Sequence, residues 1–442
     1  MIDYPKVFQP SFEKTINHFL IHHQPIMGRK QITIGLFGFG VVGYGLWEVL
    51  EKTPGLKANI RCICVKTQGK KRPIANEHFT FDKNDILNDP AINVVVELID
   101  DADAAFDIVT TAMRNGKSVV SANKKMIAEH LPELLALQKE CDVPFLYEAA
   151  SCASIPIIRN LEEYYDNDLL VSLQGIVNGS TNYILTRTAV DNISYNEALK
   201  LAQQKGYAES NPVLDVEGYD ARYKLTILLS HAFGIVEKPE NIFSLGIQRL
   251  GDLELKLAAE KGYKVKLMAH ASKLSDDKAV AFVLPQFVDP GNWFYTVDDV
   301  FNGVQTETSF ADKQFFVGKG AGAFPTASAV LSDISALSYD YRYEYKKMTQ
   351  QNLSLTTDFT IEVFVRYDDT VKSPADDFIY VSEHYRSVTG HYLVGRINFE
   401  TLIKSDWVSL PGVSVLLTSH SEIQAVPADS IAAGQQEDHK AA

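Results

Sequence analysis

Glu209, Asp215, Asp220 and Lys224 fall within one short segment, KGYAESNPVLDVEGYDARYK at residues 205–224. Asp220 and Lys224 are four positions apart, which places them one turn apart on the same face of a helix. An ordinary surface ion pair would have the same spacing. As chemistry, Lys224 could exchange a proton with a hydroxyl or carbonyl while the carboxylates bind an amino group and orient the lysine. A second constellation, Gly38, Gly40 and Gly43, forms G-x-G-x-x-G with Phe39, Val41 and Val42 between the glycines. In that pattern Gly38 permits a tight turn, Gly40 lets the backbone approach a pyrophosphate, and Gly43 allows close helix packing. The helix N-terminus that follows attracts negative charge.

The elements around these residues must position them. QITIGLF is an apolar strand that leads into the glycine turn, and an amphipathic helix follows and ends at Pro54-Gly55. The next strand, NIRCICVK, ends in Val65 and Lys66, with Lys70, Lys71 and Arg72 beyond it. An acidic residue there would bind the 2′-hydroxyl of NAD, whereas cations suit the 2′-phosphate of NADP. NADP is therefore expected in preference to NAD, although a basic surface loop has the same composition. INVVVELID, SVVSANKK and VPFLY continue the strands, and AEHLPELLALQKECD has helical periodicity. Alternating strands and helices predict an α/β fold with a Rossmann-like, doubly wound parallel sheet.

After about residue 160 the β-like runs are separated mostly by turns, which predicts an α+β substrate and dimerisation domain. The expected organisation is an N-terminal extension at 1–30, a dinucleotide-binding domain at 31–160 completed by about 320–350, and a substrate domain at 161–319. A small C-terminal α/β module at 351–425 and a disordered tail at 426–442 follow. Every chemical motif precedes residue 341, so truncation near residue 350 is expected to leave the active site intact.

Composition narrows the function. The chain has 442 residues, 46% of them hydrophobic and 22% charged, the balance of a soluble multidomain protein. A net charge of −14 opposes nucleic acid as a partner. No apolar run reaches the ~18 residues of a membrane span, and the N-terminus lacks a signal core. The cysteines Cys62, Cys64, Cys141 and Cys152 have neither disulfide-framework nor zinc spacing, which fits a reducing cytoplasm. The adjacent His22 and His23 read as solvated surface.

Residues 205–224 resemble the substrate-binding signature of homoserine dehydrogenases, which runs close to KGYAE, DVEG and DAxxK. FGFGVVGYGL, VVVELI, VVSANKKMIAEH, NGSTNYIL and GKGAGAFPTASAVLSD also resemble family segments, in the expected order over residues 31–340. The resemblance implies NAD(P)-dependent interconversion of L-homoserine and L-aspartate 4-semialdehyde, a step of threonine, methionine and isoleucine biosynthesis. It makes Lys224 the proton donor and acceptor, Lys124 a second active-site lysine that also meets the cofactor, and Glu209, Asp215 and Asp220 substrate ligands. Gly206, Gly318 and Gly320 would approach the cofactor. It also implies a monovalent cation, sodium, beside Glu148 on the backbone carbonyls of Ser151, Ala153 and Ile155, and a homodimer or higher homo-oligomer built through the substrate domain's sheet. The chain departs from the family in two places: EAASCASIP replaces a glycine-rich run, and Asp100-Asp101 replaces Gly-Gly. At the C-terminus, Leu410-Pro-Gly-Val413 lacks the ligand-loop arrangement of a regulatory ACT domain, so an ACT-like module carries no assigned ligand.

Two other readings use the same residues. Ser151-Cys152-Ala153-Ser154 is similar to the nucleophile region of semialdehyde and glyceraldehyde-phosphate dehydrogenases, which form a thioester and need a thiolate and a base such as His231. A cofactor-binding regulatory protein without turnover is the other, and the coexistence of Lys124 and Lys224 with the carboxylates opposes it. In the lysine mechanism, a second lysine nearby and partial burial are expected to lower the pKa of the base.

Overall fold

The computed structural model describes residues 30–426 apart from Asp168 and Thr389. The expected N-terminal extension, with His22 and His23, and the expected disordered tail lie outside the described residues except at Lys30 and Val426.

The first half alternates strands with helices: β1 (Ile32–Phe37), α1 (Val41–Glu51), β2 (Ala58–Cys64), β3 (Phe79–Thr80), α2 (Asn84–Leu87), β4 (Val94–Glu97), α3 (Ala102–Arg114), β5 (Ser118–Ser121), α4 (Lys124–Cys141) and β6 (Phe145–Leu146). The strands form one parallel sheet in the order β3-β2-β1-β4-β5-β6. Ile34, Leu36, Val95, Val96, Val119 and Val120 are fully buried, as strands covered on both faces require. The strand order reverses between β1 and β4, so a crevice opens at their carboxyl ends.

The glycine turn lies at that crevice. Gly38 has φ +93°, and a Cβ there would sit 2.5 Å from the Leu98 carbonyl oxygen. A Cβ on Gly43 would sit 2.3 Å from the Gly38 carbonyl oxygen, so α1 can approach the turn only with glycine at this position. A Cβ on Gly40 would meet nothing within 4 Å, which leaves the space above the turn open. No side chain caps α1 and no acidic residue stands in its first turn, so its N-terminal N–H groups face that space unopposed. Asp101, one of the residues replacing the family's glycine pair, has a local role: its carboxylate accepts the Ala104 N–H at 3.1 Å and caps α3.

The chain continues through α5 (Ile157–Glu163), β7 (Leu170–Ile176), α6 (Gly179–Val190), α7 (Tyr195–Gln204), α8 (Val213–Val216), α9 (Tyr219–Phe233), β8 (Phe243–Ser244), α10 (Asp252–Glu260), β9 (Lys264–Lys273), β10 (Lys278–Val288), β11 (Phe301–Thr308) and β12 (Asp312–Lys319). Then come α11 (Ala323–Leu337), α12 (Lys346–Gln350), β13 (Ser354–Leu355), β14 (Phe359–Tyr367), β15 (Phe378–Ser387), β16 (Gly390–Asn398), α13 (Phe399–Lys404), β17 (Ser414–Leu417) and β18 (Gln424–Ala425). Helices α6, α9 and α10 pack on one face of the second sheet. α11 returns to the first half and lies on α1 so closely that a Cβ on Gly45 would be 2.8 Å from the Ala323 carbonyl oxygen.

The expected C-terminal module is joined to the rest of the chain through a sheet. Its strands extend the sheet of the substrate domain, in the order β12-β11-β7-β9-β10-β17-β14-β16-β15. One edge of β10 pairs with β9 along its length, and the other edge recruits β13, β8 and β17 in short segments. An unpaired edge leaves N–H and C=O groups without partners, and these segments supply them. Val280, Phe282 and Leu284 of β10 share a core with Phe359, Ile361, Val363 and Leu393. Arg366 fixes the seam: its Nε is 2.8 Å from the buried Glu254 carboxylate, and Nη2 donates to the Arg249 carbonyl at 2.8 Å. A cut near residue 350 would strip β13 and β17 from that edge and uncover the apolar face of β10.

Candidate active site

A cleft of about 620 Å³ lies between the crevice of the parallel sheet and the N-terminal ends of α6 and α11. Val42, Asp100, Lys124, Gly206, Glu209, Asp215, Asp220, Lys224 and Gly320 line it, which brings the glycine turn and the acidic segment to one place.

Asp220 is the centre of the cleft's charges. Its carboxylate is 2.8 Å from Lys224 Nζ through Oδ2 and 2.9 Å from Lys124 Nζ through Oδ1. Asp220 and Lys224 are 4% and 7% exposed, so this i,i+4 pair is a buried one. Lys224 Nζ also donates to the Val177 carbonyl at 2.7 Å. Asn178 Nδ2 donates to both Asp220 Oδ2, at 2.8 Å, and Asp215 Oδ1, at 2.7 Å. Burial pushes the Asp220 carboxyl up, but Lys124 and Lys224 together outweigh it and hold the group well below the usual carboxylate range. The negative charge of Asp220 raises Lys124 more than burial lowers it. A carboxylate stands between the lysines, and their mutual repulsion is not the dominant influence on Lys124. Burial and the charge of Asp220 raise Asp215.

Local structure explains why these groups converge. Gly218, at φ +84°, turns the chain sharply between α8 and α9 and sets Asp220 in the first turn of α9, where a negative charge is favoured. Leu225, Ile227, Leu228 and Leu229 are fully buried, so α9 runs through the core and carries Lys224 inward. Asn123 caps α4 by accepting the Met126 N–H at 3.0 Å, and Lys124 is the first residue of that helix. Asn178 caps α6 with its oxygen on the Thr181 N–H at 2.8 Å, which leaves its amide nitrogen for the two aspartates.

Other expected residues are placed differently from one another. Glu209 is exposed at the cleft wall beside Gly206, whose φ of +74° forms the turn after α7. Gly320 lines the cleft, whereas Gly318 lies on β12, where a Cβ would meet Ser154 Oγ at 2.6 Å. The crowding that demands glycine at 318 therefore comes from the 151–155 loop. Lys66 is exposed at the end of β2. Lys70, Lys71 and Arg72 line a second pocket of about 490 Å³. The Arg72 guanidinium lies 4.9 Å over the Phe79 ring, which meets Phe39 of the glycine turn edge-on at 5.1 Å. Sequence reasoning did not single out Asn178 or Phe79. The NGSTNYIL segment contained Asn178, but its bond to two distant aspartates had no local signal.

Glu148 is buried, with its two oxygens accepting the Ile158 and Arg159 N–H groups at 2.9 and 2.8 Å. Burial, reinforced by nearby Asp333, pushes its carboxyl up to about 8, and burial pushes Asp333 up to about 7. Arg159, 3.3 Å from Asp333, offsets part of this negative charge. Ser151 Oγ is buried without a hydrogen-bond partner, and Ala153 adopts φ +43°. Among the described residues no group of three or more His, Cys, Asp or Glu could hold a metal ion.

The thioester reading lacks its parts. Cys152 is fully buried, and burial pushes its thiol up to about 12. His231 is committed elsewhere, with Nδ1 2.6 Å from Glu162 Oε1 and Nε2 3.0 Å from the Tyr147 hydroxyl.

Comparison with known proteins agrees with the cleft. A family model described as homoserine dehydrogenase matches residues 156–335, and one described as the homoserine dehydrogenase NAD binding domain matches residues 38–148. The homoserine dehydrogenase of Bacillus subtilis is 32% identical over 366 residues, 81% of each chain. The chain belongs to the homoserine dehydrogenase family. It is thus an NAD(P)-dependent oxidoreductase of amino-acid biosynthesis that interconverts L-homoserine and L-aspartate 4-semialdehyde. The crystal structure of a homoserine dehydrogenase from Thiobacillus denitrificans superposes with a TM-score of 0.76 at 27% identity, covering 88% of this chain and 99% of that one. A hyperthermophilic archaeal homoserine dehydrogenase, solved in complex with NADPH, superposes with a TM-score of 0.62 at 26% identity, covering 71% of this chain and 99% of that one. The boundary between the two matched regions falls at the 148–155 loop, and Ala149, Ala150 and Ser151 line the cleft, so the cleft of this homoserine dehydrogenase lies at the seam of the two matched regions.

The raised carboxyls of this seam make stability pH-dependent. Between the ordinary carboxylate range and about 8, the folded chain keeps a proton on Glu148 that the unfolded chain has released, so stability falls as pH rises through that window. Thermal unfolding followed across it should show wild type losing more stability than Glu148→Gln. Equal losses in the two proteins would show that Glu148 is ionised in the fold throughout.

Proposed function

We propose that Lys224 is the proton donor and acceptor of this homoserine dehydrogenase, and the observation that carries this is the buried Lys124–Asp220–Lys224 array beside the glycine turn. A lysine ammonium has three N–H groups. Asp220 and the Val177 carbonyl take two on Lys224, and the third remains for the C4 oxygen of the substrate. In oxidation, neutral Lys224 takes the hydroxyl proton as the hydride leaves C4; in reduction, the ammonium returns that proton to the forming alkoxide. A nicotinamide cofactor held by its pyrophosphate at the glycine turn would supply the hydride acceptor or donor. Glu209 and Asp215, on the cleft wall, bind the substrate's ammonium group, and Asp220 keeps both lysines in place. Gly38, Gly40 and Gly43, with the first N–H groups of α1, hold the pyrophosphate.

The preferred cofactor in this reading is NADP. Lys66, Lys70, Lys71 and Arg72 gather beyond β2, and the Arg72–Phe79–Phe39 contacts tie their loop to the glycine turn. A monovalent cation, sodium, fits beside Glu148 on the carbonyls of Ser151, Ala153 and Ile155, because two buried carboxyls face one arginine there. Sodium, unlike choline, should lessen the loss of stability at high pH; identical curves in the two salts exclude the site. The assembly is proposed as a homodimer through the face of the second sheet opposite α6 and α9. Glu307, Ser172 and Ser272 form one cross-strand row there, and Gln305, Gln174, His270 and Phe282 another, over a hollow of about 830 Å³. His270 Nε2 is buried in that hollow without a partner. A molar mass of one chain by light scattering would rule the dimer out.

The residue assignments are tested by turnover. Lys224→Ala should lose about 10²–10⁴ in kcat, the usual contribution of general acid–base catalysis. Cys152→Ala should stay near wild type, and Glu209→Ala should mainly raise KM for homoserine. Inactive Cys152→Ala beside active Lys224→Ala would restore the thioester reading. For the cofactor, kcat/KM should favour NADPH over NADH, and Lys66→Glu combined with Arg72→Glu should lower only the NADPH value. A wild type that prefers NADH, or a reversal that affects both cofactors alike, overturns the NADP assignment.

A further inference from the structure

Glu97 ends β4 with no exposed surface, directly behind the cleft. Its Oε1 accepts the Ile99 N–H at 2.7 Å and its Oε2 accepts the Ser121 hydroxyl at 2.5 Å. Ser121 Oγ in turn accepts the Asn123 N–H at 3.1 Å. Asn123 closes the loop, with Nδ2 donating to the Ile99 carbonyl at 3.0 Å while Oδ1 caps α4. One buried carboxyl therefore joins the turn after β4 to the turn after β5. Leu98, Ile99 and Asp100 of the first turn line the cleft, as do Ala122 and Lys124 of the second. The first turn also supports the glycine motif, since the Leu98 carbonyl stands where a Cβ of Gly38 would be.

A buried carboxyl is a costly way to join two loops, because taking it out of water is unfavourable even when it is hydrogen-bonded. Burial pushes this one up to about 7. Its geometry gives a return that an apolar side chain would not: two hydrogen bonds in fixed directions, one to each loop. The Ser121–Asn123 step sets the first turn of α4, and Lys124 leaves that turn to reach Asp220 at 2.9 Å in the other domain.

We propose that Glu97, acting through Ser121 and Asn123, is a positioning residue for the reaction that fixes Lys124 against Asp220 and holds the cleft wall at residues 98–100. Glu97 touches neither Lys124 nor Asp220 and works through the loops alone. The proposal rests on Lys124 belonging to the reaction site. Misplacing a reacting group by about 1 Å costs on the order of 100-fold in rate, so small shifts of α4 are kinetically visible.

The test is a double-mutant cycle on the full-length enzyme, read as kcat, KM for homoserine and KM for the cofactor. Ser121→Ala and Glu97→Ala should each lower kcat by on the order of 10- to 100-fold, with smaller changes in either KM. Glu97→Gln, which still bonds both loops, should recover most of the activity. In a Lys124→Ala background, Ser121→Ala should add little further loss, because the group it positions is gone. Fully additive losses, or a Ser121→Ala enzyme with wild-type kcat, overturn the positioning role while leaving Lys124 in the site. A Lys124→Ala enzyme with wild-type turnover overturns both. If Glu97→Ala fails to fold, Ser121→Ala breaks the same chain of bonds with a smaller change and decides alone.

Discussion

The structure depends on one buried carboxylate shared by two lysines. Asp220 and Lys224 come from α9 in the substrate domain, and Lys124 comes from α4 in the dinucleotide domain. Charges of this kind are expensive to remove from water, and they are tolerated only when each is paired and hydrogen-bonded. Here the Val177 carbonyl and the Asn178 amide complete the pairing. The array is therefore whole only when both domains hold the registration seen, and Lys224 is organised by the same contact that joins them. Removing one member would leave an uncompensated charge in the cleft and affect stability as well as chemistry.

The far end of α9 is anchored by a second polar network. His231 bridges Glu162 and Tyr147, and the Tyr147 hydroxyl meets that of Tyr345 at 2.7 Å. Lys347 Nζ donates to the Leu161 and His231 carbonyls, both at 2.8 Å, and burial pushes its pKa down to about 8. The histidine that a thioester mechanism would require is thus a structural clamp. Because Tyr345 and Lys347 follow α11, the chain beyond the chemical motifs contributes to the contacts that hold the end of α9.

The C-terminal strands act at longer range. They complete the second edge of β10 and share its apolar face, so the sheet under α6 and α9 is continuous with them. The family models end at residue 335, yet the Thiobacillus denitrificans structure covers 88% of the chain. Architecture is therefore shared over a longer stretch than the family models describe.

Much of this was legible in the sequence, for physical reasons specific to each part. The parallel sheet was readable because strands covered on both faces must be continuously apolar, and the glycine turn because its crowding admits no side chain at Gly38 or Gly43. The i,i+4 spacing of Asp220 and Lys224 gave their shared face, and the family segments gave their place in a reaction. Burial was not legible: the same spacing serves a solvated ion pair, and only the packing of α9 in the core buries this one at the cleft. Nor could spacing show that a carboxylate would stand between Lys124 and Lys224 and raise Lys124. That the strands of the C-terminal module would continue the second sheet was not legible either, because an alternating strand carries no mark of the sheet edge it will join. Local residue types determined the elements and the chemical groups available; only tertiary structure decided which charges would meet, since pair energies depend on distance and burial that a linear pattern does not contain.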